Sequence, residues 1–167
     1  YVRPSVAADM VIFTVMETEE ENYRKLPEKE LEVLLIQRGV HPYLGCWALP
    51  GGFVRPDETT EAAARRELKE ETGVDHVYLE QLYTFSEPER DPRTWVMSCS
   101  YMALIDSAKV RVRAGDDADQ AVWFRISFRL MDEHIEYRKN MTYDGMKTIR
   151  TKRYELELSH EDVVLSS

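Results

Sequence analysis

The chain has 167 residues, 43% hydrophobic and 32% charged, with a formal net charge of -9, which is the size and balance of one globular domain with room for a core. The acidic surplus argues against non-specific nucleic-acid binding, which needs a basic footprint, and it makes an anionic ligand awkward unless a cation mediates the contact. Apolar runs as short as Val33-Leu34-Leu35-Ile36 exclude a helical membrane span. Two cysteines, Cys46 and Cys99, are too few for a disulfide scaffold or a zinc site. No basic-then-apolar leader opens the sequence, so the expected compartment is a reducing cytoplasm, although a start at Tyr1 leaves a trimmed N-terminus open.

In chain order, the β-branched apolar run at 11–15 predicts a buried strand. The stretch 16–30 has no apolar period, carries Glu17, Glu19, Glu20 and Glu21, and reads as a solvated connection. A second strand is expected at 31–37, followed by a loop with Pro42 and Gly45 and then the segment Trp47-Ala48-Leu49-Pro50-Gly51-Gly52-Phe53-Val54. Its Pro-Gly-Gly punctuation calls for unusual backbone angles or a close backbone approach. A helix is predicted over 59–72, ended by Gly73. Further strands are expected at 77–85, 95–105 and 121–126, with a proline-broken loop at 86–93. A polar stretch around 134–144 precedes a predicted β-hairpin, 148–158 and 163–165, turning near 159–162. No repeat or linker divides the sequence, so 1–167 is expected to be a single α/β domain: a mixed sheet with one dominant helix.

The chemistry concentrates on that helix. At 100° per residue, Glu67, Glu70 and Glu71 share one arc with Ala63 beside them, while Ala64, Leu68 and Thr72 form the adjacent arc suited to packing on the sheet. Arg65 and Lys69 fall on the solvent side. Three carboxylates on one face repel, and hard divalent cations with oxygen ligands are their natural partners. Arg66 neutralises part of the charge, Glu58 is placed to pair with Arg66, and a bare backbone carbonyl in the glycine pair can approach the same ion. Taken singly, each glutamate reads as an ordinary solvated helix residue; only the joint pattern carries weight.

The segment from Gly52, GFVRPDETTEAAARRELKEETGV, resembles the Nudix box: Gly52, Glu58, Arg66, Glu67, Leu68, Glu70, Glu71, Gly73 and Val74 fill every specified position. A chance match in a chain of average usage is on the order of one in ten million. The resemblance implies a Nudix-type α/β/α sandwich around a mixed β-sheet and hydrolysis of a nucleoside diphosphate linked to another moiety. It also implies that Glu67, Glu70 and Glu71, with the carbonyl of Gly51, hold Mg2+ or Mn2+, while Arg66 and Glu58 orient these ligands.

Outside the box, Arg38-Gly39, the 47–54 segment, Leu79-Glu80-Gln81-Leu82 and the loop Pro88-Glu89-Arg90-Asp91-Pro92-Arg93 are similar to the ADP-ribose pyrophosphatase-like branch, which includes Nudix-type transcriptional regulators of NAD metabolism. Arg90 and Arg93 are candidate contacts for a diphosphate or ribose, with Asp91 fixing their geometry; the plain alternative is a surface loop whose Arg and Asp pair with each other. Asp116 and Asp117 are weaker candidates for an additional carboxylate, and Tyr43 and Trp47 for stacking on a base or for ordinary packing. The tail departs from many relatives, which end in a helix. An early end of the chain and completion of the sandwich by a partner subunit both remain open. The expected activity is metal-dependent hydrolysis of ADP-ribose or a similar nucleotide sugar to a nucleoside monophosphate and a sugar phosphate. The alternatives are a ligand-sensing domain of a transcription regulator and a nucleoside triphosphate sanitiser. The expected partner is a small-molecule nucleotide, without membrane or direct nucleic-acid binding, and a homodimer is expected by analogy with this branch.

Overall fold

The structure, a computed structural model, describes residues 3–17, 28–109, 118–139 and 146–167. It divides into two compact units, residues 1–124 and 125–167.

In the first unit, β1 (Ser5–Glu17) lies between β2 (Lys29–Arg38), antiparallel to it, and β6 (Val96–Leu104), parallel to it. The two short strands β3 (Trp47–Ala48) and β4 (Gly51–Phe53) add to β2 and β1. β5 (Glu80–Phe85) borders β6, and β7 (Ala118–Lys139) begins beside β2. The sheet is therefore mixed, with order β5-β6-β1-β2-β7. β1 alternates as a strand with one covered face should: Ala8, Met10 and Ile12 are fully buried and pack with Ala63, Ala64 and Leu68 of the helix α1 (Thr60–Thr72). Val33 to Ile36 of β2 are buried consecutively, the pattern of a central strand covered on both faces.

The predicted helix forms with its predicted ends. Thr59 caps it, its side chain accepting from the Ala62 N–H at 3.1 Å, and Gly73 closes it at φ 71° with its N–H on the Lys69 carbonyl. Ala63, Ala64, Leu68 and Thr72 are its buried residues; burying Leu68 alone stabilises by about 2 kcal/mol. The mixed α/β class expected from the sequence is the one adopted.

Three strand expectations need correction. The first strand runs from Ser5 to Glu17, not 11–15, because parallel pairing with β6 from Ser5 to Phe13 recruits its polar start. Glu17 thus belongs to a strand, while Glu19, Glu20 and Glu21 lie outside the described residues. The strand expected from 77 begins only at Glu80, where pairing to Met102 starts. The strand expected at 121–126 is only part of a longer one: β7 runs from Ala118 to Lys139, paired from Arg125 onward with β8 (Met146–His160).

In the second unit, β7, β8 and β9 (Val163–Ser166) form an antiparallel meander, with the β8–β9 turn at Glu161, φ 48°. That turn is the one expected at 159–162. Phe128 and Tyr154 stack across the pair, ring centroids 4.6 Å apart, and the register shifts by one residue at Met131. No helix among the described residues is long and apolar enough to cross a membrane.

Candidate active site

α1 brings Glu67, Glu70 and Glu71 to one edge, and the loop before it supplies Glu58. Arg66 is the hub. Its Nε and Nη2 grip both oxygens of Glu58 at 3.1 and 2.7 Å, and Nη2 also donates to the Phe53 carbonyl at 3.2 Å. Nη1 donates to Glu67 at 2.5 Å and to Glu70 at 3.3 Å. Glu58 further accepts the Arg55 N–H at 2.8 Å, so the loop is tied to the helix by one fork-on-fork pair. These bonds, those from Arg66 foremost, lower the Glu58 carboxyl to about 2 and raise the Arg66 guanidinium above its ordinary value.

Glu71 stands apart from this network. Its Oε2 is buried without a hydrogen-bond partner, and burial, followed by the charge of Glu67, pushes its carboxyl up to about 8. The one interaction holding it down is the N–H of Gly51. Glu70 and Asp9 add smaller like-charge contributions.

The glycine pair has a steric reason. Gly51 has φ 148°, and a Cβ there would run into the Ala8 carbonyl and the Asp9 Cα across β1. A Cβ on Gly52 would strike the Glu67 carboxylate. Both positions bring bare backbone close to a neighbour, the close approach that the Pro-Gly-Gly punctuation predicts.

The fit of these residues to a divalent ion rests on three observations: an orphaned buried carboxylate oxygen, a bare-backbone cradle beside it, and an all-oxygen donor set. Among the described residues no three acidic or histidine side chains close around a common point. Glu67 and Glu70 are paired with the Arg66 guanidinium.

The arginine loop is self-contained. Arg93 forms a two-point pair with Asp91 at 2.9 and 2.7 Å, and Asp91 also accepts the Arg93 N–H at 3.0 Å. These bonds lower the Asp91 carboxyl to about 2. The Arg93 guanidinium lies 5.9 Å over the Tyr43 ring, and Arg90 lies 5.7 Å over Phe85. No hydrogen bond or ion pair among the described residues joins this loop to the helix carboxylates. Trp47 packs edge-on against the buried Phe124, 4.9 Å between centroids. Asp116 and Asp117 lie outside the described residues.

Two residues here escaped the sequence reading: Asp9 on β1 and Ser98 on β6, whose hydroxyl donates to the Asp9 carboxylate. The available signal was a carboxylate interrupting the apolar run Val6-Ala7-Ala8-Asp9-Met10-Val11.

The NUDIX domain model matches residues 17–141. An ADP-ribose pyrophosphatase from Methanocaldococcus jannaschii is 39% identical over 127 residues, which is 76% of this chain and 65% of that protein. The ADPR responsive transcriptional repressor NtrR of Acinetobacter baylyi is 41% identical over 108 residues, 64% of this chain and 39% of the repressor. The chain thus spans less than two thirds of the length of either relative. Among solved structures, a MutT/nudix family protein from Enterococcus faecalis superposes with a TM-score of 0.69 at 38% identity, covering 99% of this chain and 52% of that one. With the family model covering most of its length, and with Glu58, Arg66 and the three glutamates arranged as described, the chain belongs to the Nudix family.

Proposed function

We propose that residues 1–167 act as one Nudix domain that hydrolyses the diphosphate of ADP-ribose or a similar nucleotide sugar, releasing a nucleoside monophosphate and a sugar phosphate. The observation that carries the proposal is the buried, unpartnered Oε2 of Glu71 beside the bare backbone of Gly51, with Glu67 and Glu70 on the same helix. Glu67, Glu70, Glu71 and the Gly51 carbonyl would hold Mg2+ or Mn2+. The ion, when bound, supplies positive charge to the diphosphate oxygens and makes water a better nucleophile.

The chain's own residues prepare the site. Glu58 fixes Arg66, and Arg66 in turn pairs with Glu67 and Glu70. Glu71 accepts the Gly51 N–H and keeps Oε2 buried and unpartnered, where it would serve as a ligand. Arg90 and Arg93, stiffened by Asp91 and by Tyr43 and Phe85 beneath them, are proposed to meet the diphosphate or ribose. The ADP-ribose reading draws on the named activity of the archaeal relative.

Glu71→Gln keeps the shape of the side chain and removes its charge. It should lower metal-dependent ADP-ribose turnover at least a hundredfold, read as phosphate release through a coupled phosphatase; near-normal turnover would sink the assignment. Running the same assay on NADH, nucleotide sugars and nucleoside triphosphates separates the sanitiser reading.

A second reading, ligand sensing within a transcription regulator, is favoured by the similarity to NtrR. It predicts that ADP-ribose raises the melting temperature without being consumed. In either reading the partner is a small nucleotide and the compartment the cytoplasm, with no membrane association and, given the acidic charge, no direct nucleic-acid contact by this domain. A homodimer is the proposed assembly, and sedimentation as a monomer would remove it.

A further inference from the structure

Asp9 is out of place in its strand. It lies half-buried between the fully buried Ala8 and Met10, and strand alternation turns it to the face opposite Met10. Its partner is neutral: the Ser98 hydroxyl, from the parallel neighbour β6, donates to Oδ2. No lysine or arginine among the described residues forms an ion pair with it. Its other oxygen, Oδ1, lies 3.1 Å from where a Cβ on Gly51 would stand, and Gly51 is the residue directly across from it in β4. Gly51 in turn donates its N–H to Glu71. Asp9 and Glu71 therefore flank one bare peptide, and no ion pair to a lysine or arginine among the described residues involves either. Arg66 is committed to Glu58, Glu67 and Glu70, and Arg55 to Glu70 at 3.8 Å.

A half-buried carboxylate whose partner is a neutral hydroxyl costs free energy as it stands, because part of its hydration is lost without an opposite charge to replace it. A strand position of this kind would be filled more stably by an apolar residue unless the negative charge serves something that arrives later. Ser98, itself 2% exposed, is spent on fixing the Asp9 carboxylate in this orientation.

We propose that Asp9, held by Ser98, is a positioning residue for the divalent cation, acting through Gly51 and Glu71 rather than by ligating the ion. Its fixed charge draws the ion toward the Gly51–Glu71 side of the site, and its bulk sets the Gly51 peptide. Groups that orient ligands in this way commonly change metal affinity ten- to a hundredfold. The proposal rests on the metal-dependent reading above.

The test is Mn2+ binding to the protein without substrate, followed by the loss of the free-ion signal in electron paramagnetic resonance. Asp9→Asn should weaken Mn2+ binding about tenfold, and Ser98→Ala, which keeps the charge but frees the carboxylate, about threefold. Wild-type affinity in Asp9→Asn overturns the proposal alone, including when its melting temperature falls, since a purely structural role moves stability without moving the ion. Should Asp9→Asn fail to fold, Ser98→Ala decides, and unchanged affinity there overturns the idea. A wild-type chain that takes up no Mn2+ overturns the proposed function, and this inference with it.

Discussion

Glu71 is where the site's physical chemistry is concentrated at the scale of one residue. Its carboxyl sits at about 8 against an ordinary 4.5, raised first by burial and then by Glu67. In the absence of metal, the folded chain therefore keeps a proton that the unfolded chain releases between these two values. Rising pH then favours the unfolded state, so the contribution of Glu71 to stability falls from pH 4.5 to about 8. Melting curves in chelator from pH 5 to 8 should show the wild type losing ground relative to Glu71→Gln; parallel curves would show that Glu71 is not strained. Glu58 has the opposite sign. Its carboxyl is held at about 2, so its stabilising pairing with Arg66 is present above pH 4.5 and is lost as pH falls toward 2. The loop before the helix thus carries a carboxylate satisfied by a guanidinium, and the helix itself carries one with an unpartnered oxygen.

At the scale of the element, α1 is the most self-sufficient piece of the chain. Thr59 and Gly73 terminate it, and its buried stripe is made of small residues and one leucine, which lets the helix lie close to β1. Gly73 holds φ 71°, a conformation that costs an L side chain free energy. Gly73→Ala should destabilise by about 1 kcal/mol in urea denaturation, and a neutral result would place the helix end elsewhere. Because caps and a 3.6-residue period are local signals, the helix was readable to the residue. The strands were not. The start of β1 is set by pairing with Val96 and its neighbours on β6, some 90 residues away, and β7 extends through polar residues because β8 supplies their backbone partners. Neither fact leaves a trace in a window of ten residues.

At the scale of the whole molecule, net charge is the dominant constraint. A chain at -9 repels a diphosphate, and only local positive charge offsets this. Arg66 is occupied by carboxylates and Arg93 by Asp91, so a bound cation would supply attraction that these two guanidinium groups already spend on carboxylates. A non-hydrolysable ADP-ribose analogue should raise the melting temperature by several degrees with Mg2+ present and by almost nothing in chelator. An equal shift in both conditions would mean that protein side chains alone hold the diphosphate.

The sequence by itself determined the family, the mixed α/β class and the helix, and it singled out Glu58, Arg66, Glu67, Glu70 and Glu71 as candidates, because the motif that carries them lies in one continuous segment, 52–74. It also anticipated that Gly51 and Gly52 bring bare backbone into close approach with a neighbour, since glycine has no Cβ to keep one away. Only the tertiary structure decided that Oε2 of Glu71 is buried without a partner while Arg66 pairs with Glu67 and Glu70, and that Asp91 binds Arg93 within its own loop. The same holds for Asp9, which meets Ser98 and Gly51 from strands distant in sequence. Burial and like-charge proximity arise from which strands lie side by side, and strand order is fixed by long-range pairing that a linear chain of residues does not display.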